Sequence, residues 1–235
     1  MNEKIYNDPI GRKYATIDLS GREALNKGDI KAFEGFGENF KERFITALQF
    51  STESQGEVNK RIIDQIDSIG KDLGFDFSFA GRDFPMHCTL EEGLSKGKEE
   101  HEREMTFEAL SQDEGMKSLS EHIPDEPIIF KYILIDKGNI ILTSVEIPES
   151  IIGMRKSLDG LYSSHDLKPL PMNNILHMSI GRITNFPSEE SKDEKLKKYK
   201  QKMIELRHAI SSNPLKLKCS NLFMGSTYNF LHSIE

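Results

Sequence analysis

The 235-residue sequence predicts an α+β protein of two similar lobes, because one order of elements occurs in it twice. His87-Cys88-Thr89-Leu90 and His177-Met178-Ser179-Ile180 share a histidine, any residue, a hydroxyl residue and an aliphatic. Each segment lies downstream of a strand–helix pair. Between them, apolar runs over residues 128–135 and 140–147 flank Lys137-Gly138 and read as an antiparallel hairpin. Residue identity between the halves is too faint to count as a sequence repeat, so the repetition is architectural.

Taken in order, residues 1–42 are polar at first and then carry Ile30, Phe33, Phe36, Phe40 and Phe44 at near-helical spacing. This predicts an N-terminal accessory helical segment ahead of a two-lobed domain over residues 43–235. Residues 44–50 read as a strand and 51–56 as a loop. Val58, Ile62, Ile66, Ile69 and Leu73 share a helical face, with Gly74 as the stop. Phe75, Phe77 and Phe79 alternate at strand spacing and lead into the first histidine strand. Residues 95–127 are dense in charge, and Met105 and Leu110 predict one or two surface helices there. After the hairpin, Ile151, Ile152, Arg155, Leu158 and Tyr162 continue as a helix beginning just beyond Pro148, and the second histidine strand follows. A last helix over about 191–211 carries Leu196, Tyr199, Met203, Leu206 and Ile210 on one face and ends at Asn213-Pro214. Leu215, Leu217 and Cys219 then alternate, and residues 222–230 supply a closing strand.

A net charge of −7 argues against a broad grip on duplex DNA, which rests on many Lys and Arg contacts to phosphates. It leaves room for a local positive pocket that holds a small nucleotide or a single RNA end. The first eight residues contain no apolar signal core, and the run over 128–135 is broken by Lys131 and too short to span a bilayer. Cys88 and Cys219, the only two cysteines, read as reduced core residues. The expectation is a cytoplasmic monomer with no membrane partner.

Side chains on a strand alternate with period two, so each histidine points the same way as the hydroxyl two positions on. About a quarter of one such histidine–hydroxyl–aliphatic match is expected by chance, and two are present. Two facing copies supply an acid, a base and an anion cradle. Histidine serves as either acid or base because its pKa is near neutrality, and this pattern leaves open which one does which. Thr89 and Ser179 are placed to donate to the non-bridging oxygens of a five-coordinate phosphorus. Arg182 either turns inward to neutralise charge or sits solvated at a strand end, the usual state of arginine. Tyr228 on the closing strand is a candidate base-stacking platform. Phe130 and Tyr132 alternate on one hairpin face, where core packing is the better reading than a platform. No His-Glu-x-x-His, Cys-x-x-Cys, Gly-x-Ser-x-Gly or Walker-type loop occurs, so neither a metal nor another cofactor is expected.

On the two histidine segments the chain resembles the two-histidine phosphoesterase superfamily, which includes RNA 2′,5′-ligase-like proteins and cyclic phosphodiesterases. The resemblance covers roughly residues 43–235 in order of elements, and Gly181-Arg182 stands where many relatives carry a basic residue. It implies a bilobal fold with two antiparallel sheets facing a central groove and helices outside. The implied activity is metal-independent hydrolysis of a 2′,3′-cyclic phosphate, or of a 2′,5′-linked nucleotide or RNA end. The implied catalytic pair is His87 and His177. The alternative is a module on the same fold that binds a nucleotide or RNA end without turnover. The residues preceding 43 and the acidic stretch over 95–127 depart from the family pattern.

Overall fold

The computed structural model describes residues 9–27, 30, 32, 42–95, 97–136, 138–170, 175–187, 192–226 and 232–233. Helix α1 (Pro9–Lys27) precedes strand β1 (Arg43–Phe50). Helix α2 (Thr52–Val58) runs through a π-helical turn (Asn59–Ile63) into α3 (Asp64–Leu73). Residues 51–56, expected as a loop, are therefore mostly helical. The reason is local: Ser51 is an N-cap whose side chain accepts from the Ser54 N–H. Gly74 ends α3 at φ 77°, as its position in the sequence predicts.

Strands β2 (Asp76–Phe79) and β3 (His87–Leu94) follow. The charged stretch contains two helices, α4 (Glu100–Ser111) and α5 (Glu114–Glu121). Leu110 is buried there, whereas Met105 is 67% exposed. The hairpin is β4 (Ile128–Asp136) and β5 (Asn139–Ser144), and α6 (Glu149–Ser164) starts after Pro148. A short β6 (Lys168–Pro169), which no periodicity announces, precedes β7 (His177–Asn185). Helix α7 (Lys192–Ser212), β8 (Leu215–Leu217), β9 (Cys219–Ser226) and β10 (His232–Ser233) complete the described chain.

The strands form two five-stranded antiparallel sheets, β10-β9-β1-β3-β6 and β2-β7-β5-β4-β8. The two-lobed α+β expectation holds. Each half contributes a strand, a helix, a short strand and a histidine strand. The short strands are exchanged: β2 flanks β7 in the second sheet, and β6 flanks β3 in the first. Leu215, Leu217 and Cys219, which alternate as if on one strand, are divided between sheets. Leu215 and Leu217 pair with β4, while Cys219 pairs with β1, and the chain crosses between sheets at Lys218. Neither cysteine is in a disulfide. With β1 between their strands they lie about 9–10 Å apart or more, beyond disulfide reach.

Most buried side chains belong to one continuous core, on which α3, α6 and α7 pack. Tyr14, Leu134, Ile141 and Ile175 form a second, smaller cluster with Ile17 and Tyr132. This corrects the reading of Phe130 and Tyr132 as neighbours on one face. An extra residue at Lys131 shifts the β4–β5 register, sending Phe130 into the main core and Tyr132 towards α1. Helix α1 lies in the stretch that reads as polar, and it gains its stability from tertiary contacts. These include the pairing of the buried Asp18 with Arg207 on α7, beside an ion pair with Arg22 on its own helix. The expected helix periodicity at Phe33, Phe36 and Phe40 falls outside the described residues. No helix among the described residues is long and apolar enough to cross a membrane.

Candidate functional site

The two histidine strands share a device that period-two reasoning does not contain. On β3, Thr89 pairs with Ala47 and Glu91 with Thr46, so Leu90 is an extra residue without a partner on β1. On β7, Ser179 pairs with Ile141 and Gly181 with Ile140, so Ile180 is the extra residue. Both strands are thus bulged at the aliphatic of the motif. A bulge turns two successive side chains to one side and reverses the alternation beyond it. The burial follows: Cys88, Leu90 and Glu91 are buried, as are Met178, Ile180 and Gly181. His87, Thr89 and Glu92 are half-buried on the other face, and so are His177, Ser179 and Arg182. Strict alternation puts Arg182 opposite His177; the bulge returns it to the same face.

The faces converge. Strands β3 and β7 belong to different sheets and touch. The Arg182 guanidinium carbon lies 4.5 Å from the centroid of the Phe84 ring, three residues before His87. Its charge also reaches His87. The solvated strand-end alternative for Arg182 is therefore not what the structure shows. Among the described residues, the hydroxyls of Thr89 and Ser179 form no hydrogen bond with the protein, which leaves both available to a ligand.

His87 is held in a defined state. Its Nδ1 lies 2.8 Å from the Pro85 carbonyl oxygen, and a carbonyl only accepts, so Nδ1 carries a proton and the neutral form of the ring has its lone pair at Nε2. Phe223 packs edge-on at 5.7 Å between centroids. Burial pushes the imidazole below its usual 6.5; the Pro85 carbonyl opposes this and Arg182 reinforces it. His177 opens β7 directly across from Thr143. The residue before it is clamped: the Tyr14 hydroxyl donates to the Leu176 carbonyl at 2.7 Å and accepts from the Leu176 N–H at 2.9 Å. Ser144 donates to the same carbonyl through its hydroxyl and its N–H, both at 3.0 Å.

The structure adds residues that no motif marks. Gln49 stands across the ladder from His87 and accepts from Asn221 at 3.4 Å. Glu92, at the position on β3 that Arg182 holds on β7, pairs with Arg43 at 2.8 Å. Phe84, Phe223, Tyr14 and Arg155 also belong here. Gln49, Glu92 and Phe223 are revealed only by strand register, which rests on the bulges, and Phe84, Tyr14 and Arg155 only by the packing of a loop and two helices against those strands. Tyr228 lies outside the described residues. Among the described residues, no three His, Cys, Asp or Glu side chains gather as a metal site.

No family model matches the sequence, and no curated protein matches it significantly. Solved structures do match. A conserved protein of unknown function from Agrobacterium tumefaciens is 9% identical with a TM-score of 0.50, the match covering 90% of this chain and 96% of that one. Usb1 of Kluyveromyces marxianus is 12% identical with a TM-score of 0.44, covering 83% of this chain and 98% of that one. The same protein with uridine monophosphate is 13% identical, also at 0.44, covering 83% and 99%. At 9% identity, the likeness to the Agrobacterium protein is one of fold.

Proposed function

We propose that this chain is a two-histidine phosphoesterase that opens a cyclic phosphate or cleaves a 2′,5′-linked nucleotide or RNA end. One observation carries the reading: two His-x-Thr/Ser strands, bulged at the same position, turn histidine, hydroxyl and one charged residue onto faces that meet across two sheets. In hydrolysis of a cyclic phosphate, His87 Nε2 takes the proton from the attacking water as its oxygen bonds to phosphorus. The phosphorus–ribose oxygen bond breaks, and protonated His177 supplies the proton to the leaving oxygen. His87 is assigned the base because burial favours its neutral form and Pro85 fixes the tautomer that leaves Nε2 open. Thr89, Ser179 and Arg182 meet the charge on the non-bridging oxygens. No step requires a metal ion.

The test is product analysis of the full chain on 2′,3′-cyclic nucleotides, 2′,5′-linked oligonucleotides and cyclic dinucleotides, with and without chelator. Turnover of one class that survives chelation supports the reading. Binding of these compounds without turnover by an intact, folded protein replaces it with the binding-module alternative. Loss of activity on chelation, restored by a divalent ion, turns the histidines into candidate ligands.

A further inference from the structure

The bulge at Leu90 has a structural cost that α6 meets, and meeting it joins the two halves of the site. Pulling one residue out of a ladder leaves backbone groups without strand partners, and buried backbone groups must be satisfied elsewhere. On β7 the bulged Ile180 carbonyl accepts from the Ala80 N–H at 3.2 Å, a backbone solution. On β3 the bulged Leu90 carbonyl accepts from Arg155 Nε at 3.0 Å. The same guanidinium reaches two further carbonyls through Nη2: Thr89 at 3.4 Å, and Ile175, two residues before His177, at 2.8 Å. Arg155 is buried, so these carbonyls replace water as partners of its charge.

We propose that Arg155 is a positioning residue that fixes the two histidine strands relative to each other, one arm on the Thr89–Leu90 bulge and the other on the approach to His177. The planar fork of arginine has donors spaced for this work, and lysine offers only a point charge. The inference rests on the phosphoesterase reading for its kinetic consequence, because acid and base must be correctly spaced across one phosphorus. A misplacement of about 1 Å far from the chemistry can cost about 100-fold in rate.

The experiment compares full-length wild type with Arg155→Lys and Arg155→Met on the best cyclic phosphate, well below each melting transition. The expected result is a kcat lowered about 10- to 100-fold with KM within about twofold, since Arg155 sets spacing and touches no substrate. A folded variant with wild-type kcat overturns the proposal. Native-state hydrogen exchange of the wild type provides an arm independent of variant folding and of turnover. The Arg155 Nε–H and the amides flanking His87 and His177 should open with one common free energy. Separate opening free energies for the two strands overturn the strut. Absence of turnover in the wild type on every substrate sinks the phosphoesterase reading instead, and the exchange result still judges the strut.

Discussion

Each motif histidine has its own local environment, and the environments differ. Burial shifts His87 towards its neutral form while Nδ1 is committed to Pro85, and His177 is positioned through the clamped Leu176. Substituting His87→Ala or His177→Ala should lower kcat by about 10²–10⁴-fold with the fold retained, as circular dichroism and steady-state kinetics would show. Because the His87 pKa is depressed, its neutral form persists into mild acid, so the acid limb of kcat/KM should fall below pH 6.5. A limb at or above that value would reassign the base. Glu91 gives a second pH effect, this time on stability. It is 2% exposed on the core side of the bulge, and burial raises its pKa from 4.5 to about 7, with Asp159 adding to the rise. A carboxyl whose folded pKa is raised stabilises fully below the unfolded value and loses that contribution as pH climbs through the folded one. Glu91→Gln should therefore gain stability relative to wild type between pH 4.5 and about 7, by about 1–3 kcal/mol. Chemical denaturation at both ends of that window measures it, and a constant difference refutes it.

At the scale of elements, bulges do more to shape the site than propensity does. Those at Leu90 and Ile180 place Glu92 and Arg182 on the faces that carry the motif histidines, and the one at Lys131 divides Phe130 from Tyr132. Helix α6 is fitted closely to β3. A Cβ at Gly93 would come within 2.5 Å of the Tyr162 ring, which also shares a 2.8 Å hydrogen bond between its hydroxyl and that of Thr46. A buried aromatic ring held at both ends yields little, so Gly93→Ala should destabilise by about 1–3 kcal/mol. It should also disturb α6 and with it Arg155. A thermal melt showing no loss would mean that α6 can shift freely.

Across the whole molecule, the exchanged short strands β2 and β6 pair each half into the other's sheet, so each histidine strand is flanked by a strand from the other half. Helix α1 joins them from outside the repeated architecture. It covers Leu134 and Ile141 and delivers Tyr14 to Leu176. Deleting residues 1–27 should strip these contacts, lowering the melting temperature and reducing kcat more than the deletion affects KM. Unchanged kinetics in a folded truncation would confine α1 to a passive role.

The two motifs, the amphipathic helices, the hairpin and the α+β order are legible in the residues alone, since they are written in local periodicity and short-range spacing. His87, Thr89, His177 and Ser179 share their half-buried faces for the same reason. Arg155 reads in sequence as one position on a helical face, and Tyr14 as part of a polar leader. Their roles are decided by which backbone carbonyls lie across from them after folding. The direction of Arg182, the division of Leu217 from Cys219 between sheets, and the crossing of β2 and β6 depend on register and on chain crossings. Those features arise from long-range strand pairing, which period-two alternation within a single strand does not specify.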